Sequence, residues 1–524
     1  MKWGGWIGVV CGLVAAVAGR AAEDAFEWAE ITIEDVQRRM EAGELTAERL
    51  TMAYLERIEA VDRGGPAMRA VIEVNPEALA IARERDRERR DGKVRGALHG
   101  VPVLIKDNIA TADAMETTAG SLMLVGAKPR EDAAVVERLR EAGAVILGKT
   151  NLSEWANFRS MRPVSGWSSR GGQTRNPYAL DRNPSGSSSG SAVAVTANLC
   201  VVAVGTETDG SIVSPASTNG IVGVKPTVGR VSRRGLVPIA ASQDTAGPMA
   251  RTVRDAALVL DVLTARDARD AATGEAPEEG GSFAAELEGE ALRGARLGVL
   301  RGPFGLPPKT EQVLEAVLTE LRAAGAEVVD LGEYAAIHQA WEAELEVLLY
   351  EFKAGLNAYL ASLGEGATVR TLAEAIAFNA AHAEEMMPFF GQDIFELAEK
   401  KGPLTESAYR AARETCIRIS RTEGIEAWMA EHRLDAIVTI AAGPAWMTDP
   451  VNGDAYTGSS SSLAAVAGYP SVSVPAGEVA GLPVGVLFTG RAWSERRLLA
   501  LAADFERRTR ARRPPEFWAT VPLP

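Results

Sequence analysis

Histidine is nearly missing from this sequence. Its 524 residues hold four, His99, His338, His382 and His432, and none stands in a Gly/Ser-rich setting. That works against the usual activation of a serine by a neighbouring imidazole. Cysteine is as scarce. Cys11, Cys200 and Cys416 lie far apart, so there is neither a disulfide framework nor a zinc-ligand spacing. Cys200 falls in an apolar run and reads as a small core residue. Positive charge is in the minority, with a net charge of −14, which argues against a sequence-independent grip on nucleic acid. The apolar stretch Ile7–Ala18 is too short for a membrane span, and no stable membrane insertion is expected. No tandem repeat of short period is present.

What the chain does have is a core and a concentration of serine and glycine. A hydrophobic content of 46% over this length is ample for a large interior. Between Asn183 and Pro215 the chain reads Asn-Pro-Ser-Gly-Ser-Ser-Ser-Gly-Ser, then an apolar run, then Gly205-Thr-Glu-Thr-Asp-Gly-Ser-Ile212. Ala-rich Ser191–Leu199 predicts a helix, and β-branched Val201–Val204 a short strand. The two Gly/Ser clusters therefore sit at sharp turns, where backbone N–H groups are left over.

A serine hydroxyl attacks a carbonyl only when something takes its proton. A lysine serves if burial keeps its amine neutral. Lys106 ends the run Gly100-Val-Pro-Val-Leu-Ile, which predicts a buried strand. Lys149 is a rival base, in a loop-to-helix entry at Lys149–Glu154 and in a less apolar setting. Gly186-Ser-Ser188-Ser-Gly190 also satisfies the G-x-S-x-G nucleophile elbow, which would make Ser188 the nucleophile. However, an elbow follows a strand and requires a later histidine. Here Asn176–Pro184 precedes it, and no histidine has a supporting context.

Taken together, His99-Gly-Val-Pro-Val-Leu-Ile-Lys-Asp-Asn, the serine-rich loop, Gly-Thr-Glu-Thr-Asp-Gly-Ser211 and Gly223-Val-Lys-Pro-Thr-Val-Gly-Arg230 resemble the amidase signature family, from about Ile31 to Phe505. The resemblance implies an amide-hydrolysing Ser–Ser–Lys triad. Ser211 is then the nucleophile and Lys106 the base. Ser187, preceded by a cis peptide bond, is the bridge between them. It also implies an oxyanion hole built from the backbone N–H groups of Thr208, Asp209, Gly210 and Ser211. No metal and no organic cofactor are expected. Two positions depart from the commonest pattern: Asp209 replaces a glycine, and Val213 an arginine. Within the family, the two loops look most like those of the peptide amidases. A carboxylate pointing into an oxyanion hole would oppose the developing charge, so Asp209 is expected to turn outward or to cap a nearby N–H.

The resemblance implies an α/β fold with a large mixed β-sheet core covered by helices on both faces. The alternation of predicted strands and helices supports the α/β class independently but not the strand order. Residues 1–22 read as a secretory signal, with Lys2, the apolar stretch and small residues before a cleavage near Ala21 or Ala22. This implies a periplasmic or secreted protein. Residues 23–524 read as one large domain with a helical insertion at about 335–431. Thr32 and Thr46 are expected to cap the first two helices. Arg83–Arg90 is expected to be a solvated face. Ser242–Pro248 matches a family loop and is expected to be turn chemistry at Asp244 and Pro248. The clustered Met386, Met387, Phe389 and Phe390 predict a core element or a cleft wall.

The leading function is hydrolysis of a carboxamide, with a small amide or an amidated peptide as substrate. The alternatives are a fatty-acid or aryl amide hydrolase, a transamidating A-type amidotransferase subunit, and a scaffold that kept the fold without catalysis. A signal peptide argues against the transamidating role, which needs a cytosolic complex and charged tRNA. The complete triad argues against the scaffold. The sequence leaves the oligomeric state open.

Overall fold

The computed structural model describes residues 26–278, 280–301, 307–364 and 366–522. The expected signal segment lies outside the described residues. Two of the capping expectations are met directly. The Thr32 and Thr46 side chains accept the N–H of Asp35 and Arg49 and open the helices Ile33–Glu41 and Ala47–Arg57, each cap being worth about 1 kcal/mol. The second helix buries Leu50, Tyr54 and, just past its end, Ile58.

The core is one mixed sheet of eleven strands. In chain order the strands are β1 (Val71–Val74), β2 (Pro102–Lys106), β3 (Val145–Thr150), β6 (Val202–Glu207), β7 (Val222–Lys225), β8 (Thr245–Ala250), β9 (Arg296–Leu300), β10 (Glu327–Gly332), β11 (Ala436–Ile440), β12 (Ser471–Val479) and β13 (Leu482–Thr489). Between them β4 (Trp167–Ser168) and β5 (Gly172–Gln173) form a separate ribbon. The spatial order is β1-β3-β2-β6-β8-β7-β12-β13-β11-β9-β10. β2 runs parallel to both β3 and β6, while β6, β8, β7, β12 and β13 are successively antiparallel. Every residue of β2, β3, β6, β7 and β8 is buried.

Three expectations need correction. Arg83–Arg90 is not wholly solvated, because Arg85 and Asp86 are buried. The Asp86 carboxylate accepts the N–H groups of Ala47 at 2.7 Å and Glu48 at 3.0 Å, donors at a helix N-terminus that need partners. Pro248 is not in a turn but in the strand β8. There it pairs with Val204 of β6, while β7 pairs with the next two residues, Met249 and Ala250. Lys149 and Thr150 belong to β3 rather than to a loop, and Lys149 is fully buried.

The helical insertion contains the long helix Ile337–Ser362, followed by Leu372–Ala381, Ala383–Met386, Asp393–Glu399 and Ser407–Ile417. It closes a second hydrophobic cluster in which Phe352, Leu356 and Phe395 pack with Trp155, Phe158 and Ile239. Those three partners come from segments that also wall a cleft beside Ser211. Among the described residues no helix is long and apolar enough to cross a membrane.

Candidate active site

Lys106 is the last residue of β2, and its side chain is completely buried. The Nζ lies 2.7 Å from Ser187 Oγ, 2.9 Å from Thr206 Oγ1 and 3.2 Å from the Thr206 carbonyl, so that the neutral amine can donate to the two Thr206 oxygens and accept the Ser187 hydroxyl. Burial pushes the amine down to about 7, against the upward pull of Glu207 and Asp244. An ammonium in such a place loses its hydration without a directly paired anion, so the neutral amine is available as a base near neutral pH. The Gly186–Ser187 peptide bond is cis. Gly186 is required by space, since a Cβ there would lie 2.2 Å from Ser153 Oγ.

Ser211 follows β6 in the turn that leads into the helix Val213–Thr218. The turn depends on Gly210, which has a φ of +81°. A Cβ at that position would sit 2.8 Å from Ser461 Oγ. Glu207 closes the turn from within, its Oε2 accepting the N–H of Ile212 at 2.7 Å and of Val213 at 3.0 Å. Asp244 fixes the other side by accepting Thr208 Oγ1 at 2.6 Å together with the N–H groups of Ile239 and Ala240. Among the described residues, no hydrogen bond outside the ladders takes the N–H of Asp209, Gly210 or Ser211. A crescent of such donors suits an anionic oxygen.

The structure thus brings Lys106 and Ser187 into direct contact and puts Ser211 on the wall of the same cleft as Gly186, Thr208, Asp209 and Gly210. Among the described residues the Ser211 hydroxyl makes no hydrogen bond to Ser187 or Lys106. The backbone carbonyl of Ser211 accepts the Ser188 N–H at 3.1 Å, which ties the two loops together. The two rival residues are occupied elsewhere. Ser188 Oγ donates to the Thr206 carbonyl at 3.0 Å and accepts the Thr206 N–H at 3.2 Å. Lys149 Nζ is bound to the Ile109 carbonyl and to Thr117 Oγ1.

Asp209 turns away from the crescent of donors, and it caps no N–H. Its two carboxylate oxygens accept the hydroxyls of Ser461 at 2.5 Å and Ser462 at 2.6 Å. The side chain is therefore held off the donor crescent by the start of the helix Ser462–Ala467 and its cap Ser461. Val213, where the family more often has arginine, is fully buried against Ala441 and Leu487. An arginine at that place would have no room for its charge.

The cleft over Ser211 has a volume of about 560 Å³. Phe158, Ile239, Leu348, Trp446 and Tyr456 supply apolar walls, and no histidine lines it. Asp454 lies on its rim and accepts Trp446 Nε1 at 3.0 Å and the Ser165 N–H at 2.9 Å, pinning the loop after β11 across the cleft. A second cavity of about 500 Å³ adjoins it through Met161, Arg162, Asn452 and Gly453. Phe389 and Phe390 wall that second space and meet the Trp167 ring edge-on, whereas Met386 lies in the core of the insertion.

Three contributors escape a reading of motifs. Thr206 anchors both Lys106 and Asn108. Glu207 and Asp244 shape the turn that carries Ser211. The available signal was a carboxylate or hydroxyl at the end of an apolar run, since a buried carboxylate has to find donors close by.

A family model described as Amidase matches residues 49–499. A probable amidase of Arabidopsis thaliana is 44% identical over 505 residues, covering 94% of this chain and 93% of its own. The crystal structure of native peptide amidase from Stenotrophomonas maltophilia is 54% identical with a TM-score of 0.90, over 94% of this chain and 99% of that one. The structure of the peptide amidase PAM with the competitive inhibitor chymostatin is 55% identical with a TM-score of 0.90, covering 93% and 99%.

Proposed function

The chain belongs to the amidase signature family, and we propose that it hydrolyses the C-terminal amide of peptides to a carboxylate and ammonia. Ser211 attacks the amide carbon while its proton passes through Ser187 to the neutral Lys106. The tetrahedral oxygen faces the N–H groups of Thr208, Asp209, Gly210 and Ser211, each worth about 3–4 kcal/mol of barrier in comparable sites. Lys106 returns the proton to the leaving nitrogen, which departs as ammonia. Water then attacks the acyl-enzyme by the same relay, and the free acid leaves. The 2.7 Å contact from a wholly buried Lys106 Nζ to Ser187 Oγ, next in the chain to Gly186 on the wall of the cleft that holds Ser211, carries this reading.

The choice of peptide amides is supported by the similarity to peptide amidases and by access. A chain end reaches a nucleophile on a recessed turn more readily than a continuous backbone does. Asp209 on the cleft wall disfavours a free terminal carboxylate by charge repulsion, about 1 kcal/mol at 4 Å in water. The nucleophile is tested by trapping with an activated fluorophosphonate and locating the label. Label on Ser211, with Ser188→Ala retaining substantial activity and Ser211→Ala none, supports the assignment. Label on Ser188 contradicts it.

A further inference from the structure

The turn that carries Ser211 is held from one more side, by the helical insertion. Glu344 lies on the long helix Ile337–Ser362 and is buried at 6% exposure. Its Oε1 accepts Gln243 Nε2 at 2.7 Å, and the same Nε2 donates to the Thr208 carbonyl at 3.3 Å. The Glu344 and Asp209 carboxyls also face each other side chain to side chain. Two carboxyl groups bond to each other only when one holds a proton, because a carboxylate has no donor. The proton belongs on Glu344. Burial raises Asp209 too, but the two hydroxyls it accepts, from Ser461 and Ser462, and nearby Lys225 favour its charge. Glu344 has a single donor in Gln243, and its burial and the neighbouring Asp209 both favour the neutral acid. One turn further along the helix, Leu348 lines the cleft. Beyond it Glu351 accepts the Ser242 N–H at 2.8 Å, so one face of the helix addresses the active-site loops throughout.

We propose that Glu344 is a positioning residue for the hydrolysis: as a proton-bearing acid it donates to Asp209 and accepts from Gln243, fastening the Thr208–Ser211 turn to the helical insertion. The fastening acts on the donor crescent from both ends, through the Asp209 side chain and through the Thr208 carbonyl that Gln243 grips. It leaves no bond to the substrate, so its loss falls on kcat and spares KM. The proposal rests on the reading of Ser211 as nucleophile.

The experiment measures ammonia release from glycyl-phenylalaninamide by the full-length wild type and by Glu344→Gln, Glu344→Leu, Glu344→Asp and Ser211→Ala. Glutamine can donate to Asp209 and accept from Gln243 as the protonated acid does, so Glu344→Gln is expected to keep kcat within about threefold. Leucine cannot donate or accept, and aspartate is too short to reach Asp209. Both are expected to lose about 10- to 100-fold in kcat with KM within about twofold, a fraction of what a missing oxyanion donor costs. If the leucine variant does not fold, the aspartate variant carries the comparison. Wild-type kcat in the displaced variants, or a glutamine variant as impaired as they are, overturns the clamp while Ser211→Ala stays inactive. Activity in Ser211→Ala overturns the underlying reading and the clamp with it.

Discussion

The Lys106 amine and the Ser187 hydroxyl are hydrogen-bonded at 2.7 Å, and neither side chain is more than marginally exposed. An amine in water would be an ammonium at neutral pH and useless as a base. Here strand β2 carries it into the interior, where the charged form has lost its hydration. The scarcity of histidine is therefore no obstacle to serine chemistry on this scaffold.

The first consequence is a pH dependence. The base must be neutral, and burial brings the Lys106 amine down to about 7. As pH falls through that value the amine takes up a proton, and kcat/KM falls tenfold per unit below it. Lys106→Ala is expected to lose about 10²- to 10⁴-fold at neutral pH, the usual contribution of a general base. A pH profile of ammonia release checks both. Unchanged kinetics in Lys106→Ala would remove lysine from the mechanism.

The same burial costs stability. In the unfolded chain Lys106 titrates near its ordinary value of 10.5, and in the folded chain near 7. Between those values the unfolded state binds more protons, so lowering the pH favours unfolding across this window. A shift of that size corresponds to roughly 5 kcal/mol at most, at about 1.4 kcal/mol per unit. Lys106→Met has no such proton to take up. Its stability relative to wild type is expected to rise as pH drops from about 10 to about 7 and to level off below. Denaturant unfolding at a series of pH values measures the difference, and a pH-independent gap would place a charged lysine in the folded protein.

Much of this was legible in the sequence, for a definite reason. Lys106, Ser187 and Ser211 sit in contiguous runs whose neighbours set the local structure, an apolar strand before the lysine and glycine turns around the serines. Segments of strong period, such as Ala436–Ile440 and the helix opened by Thr46, were legible in the same way. Long-range partners were not. Asp86 caps a helix about forty residues away, which makes a charged run partly internal. Strand β8 contains Gly247 and Pro248, residues that mark turns, and becomes a strand because β6 and β7 pair with it. Asp209 was expected to avoid the donor crescent, and it does, but its partners Ser461 and Ser462 come from a helix start some 250 positions further along the chain. The Glu344 clamp crosses from the insertion to the central sheet, and no local pattern announces it.

The most direct test of the account offers three amides in parallel: glycyl-phenylalaninamide, the same dipeptide extended by one residue as a free acid, and a long-chain fatty amide. Ammonia release and new free amines are followed for each. The account predicts ammonia from the dipeptide amide, no cleavage inside the extended peptide and little turnover of the fatty amide. Faster turnover of the fatty amide, or cleavage of the internal bond, would contradict it.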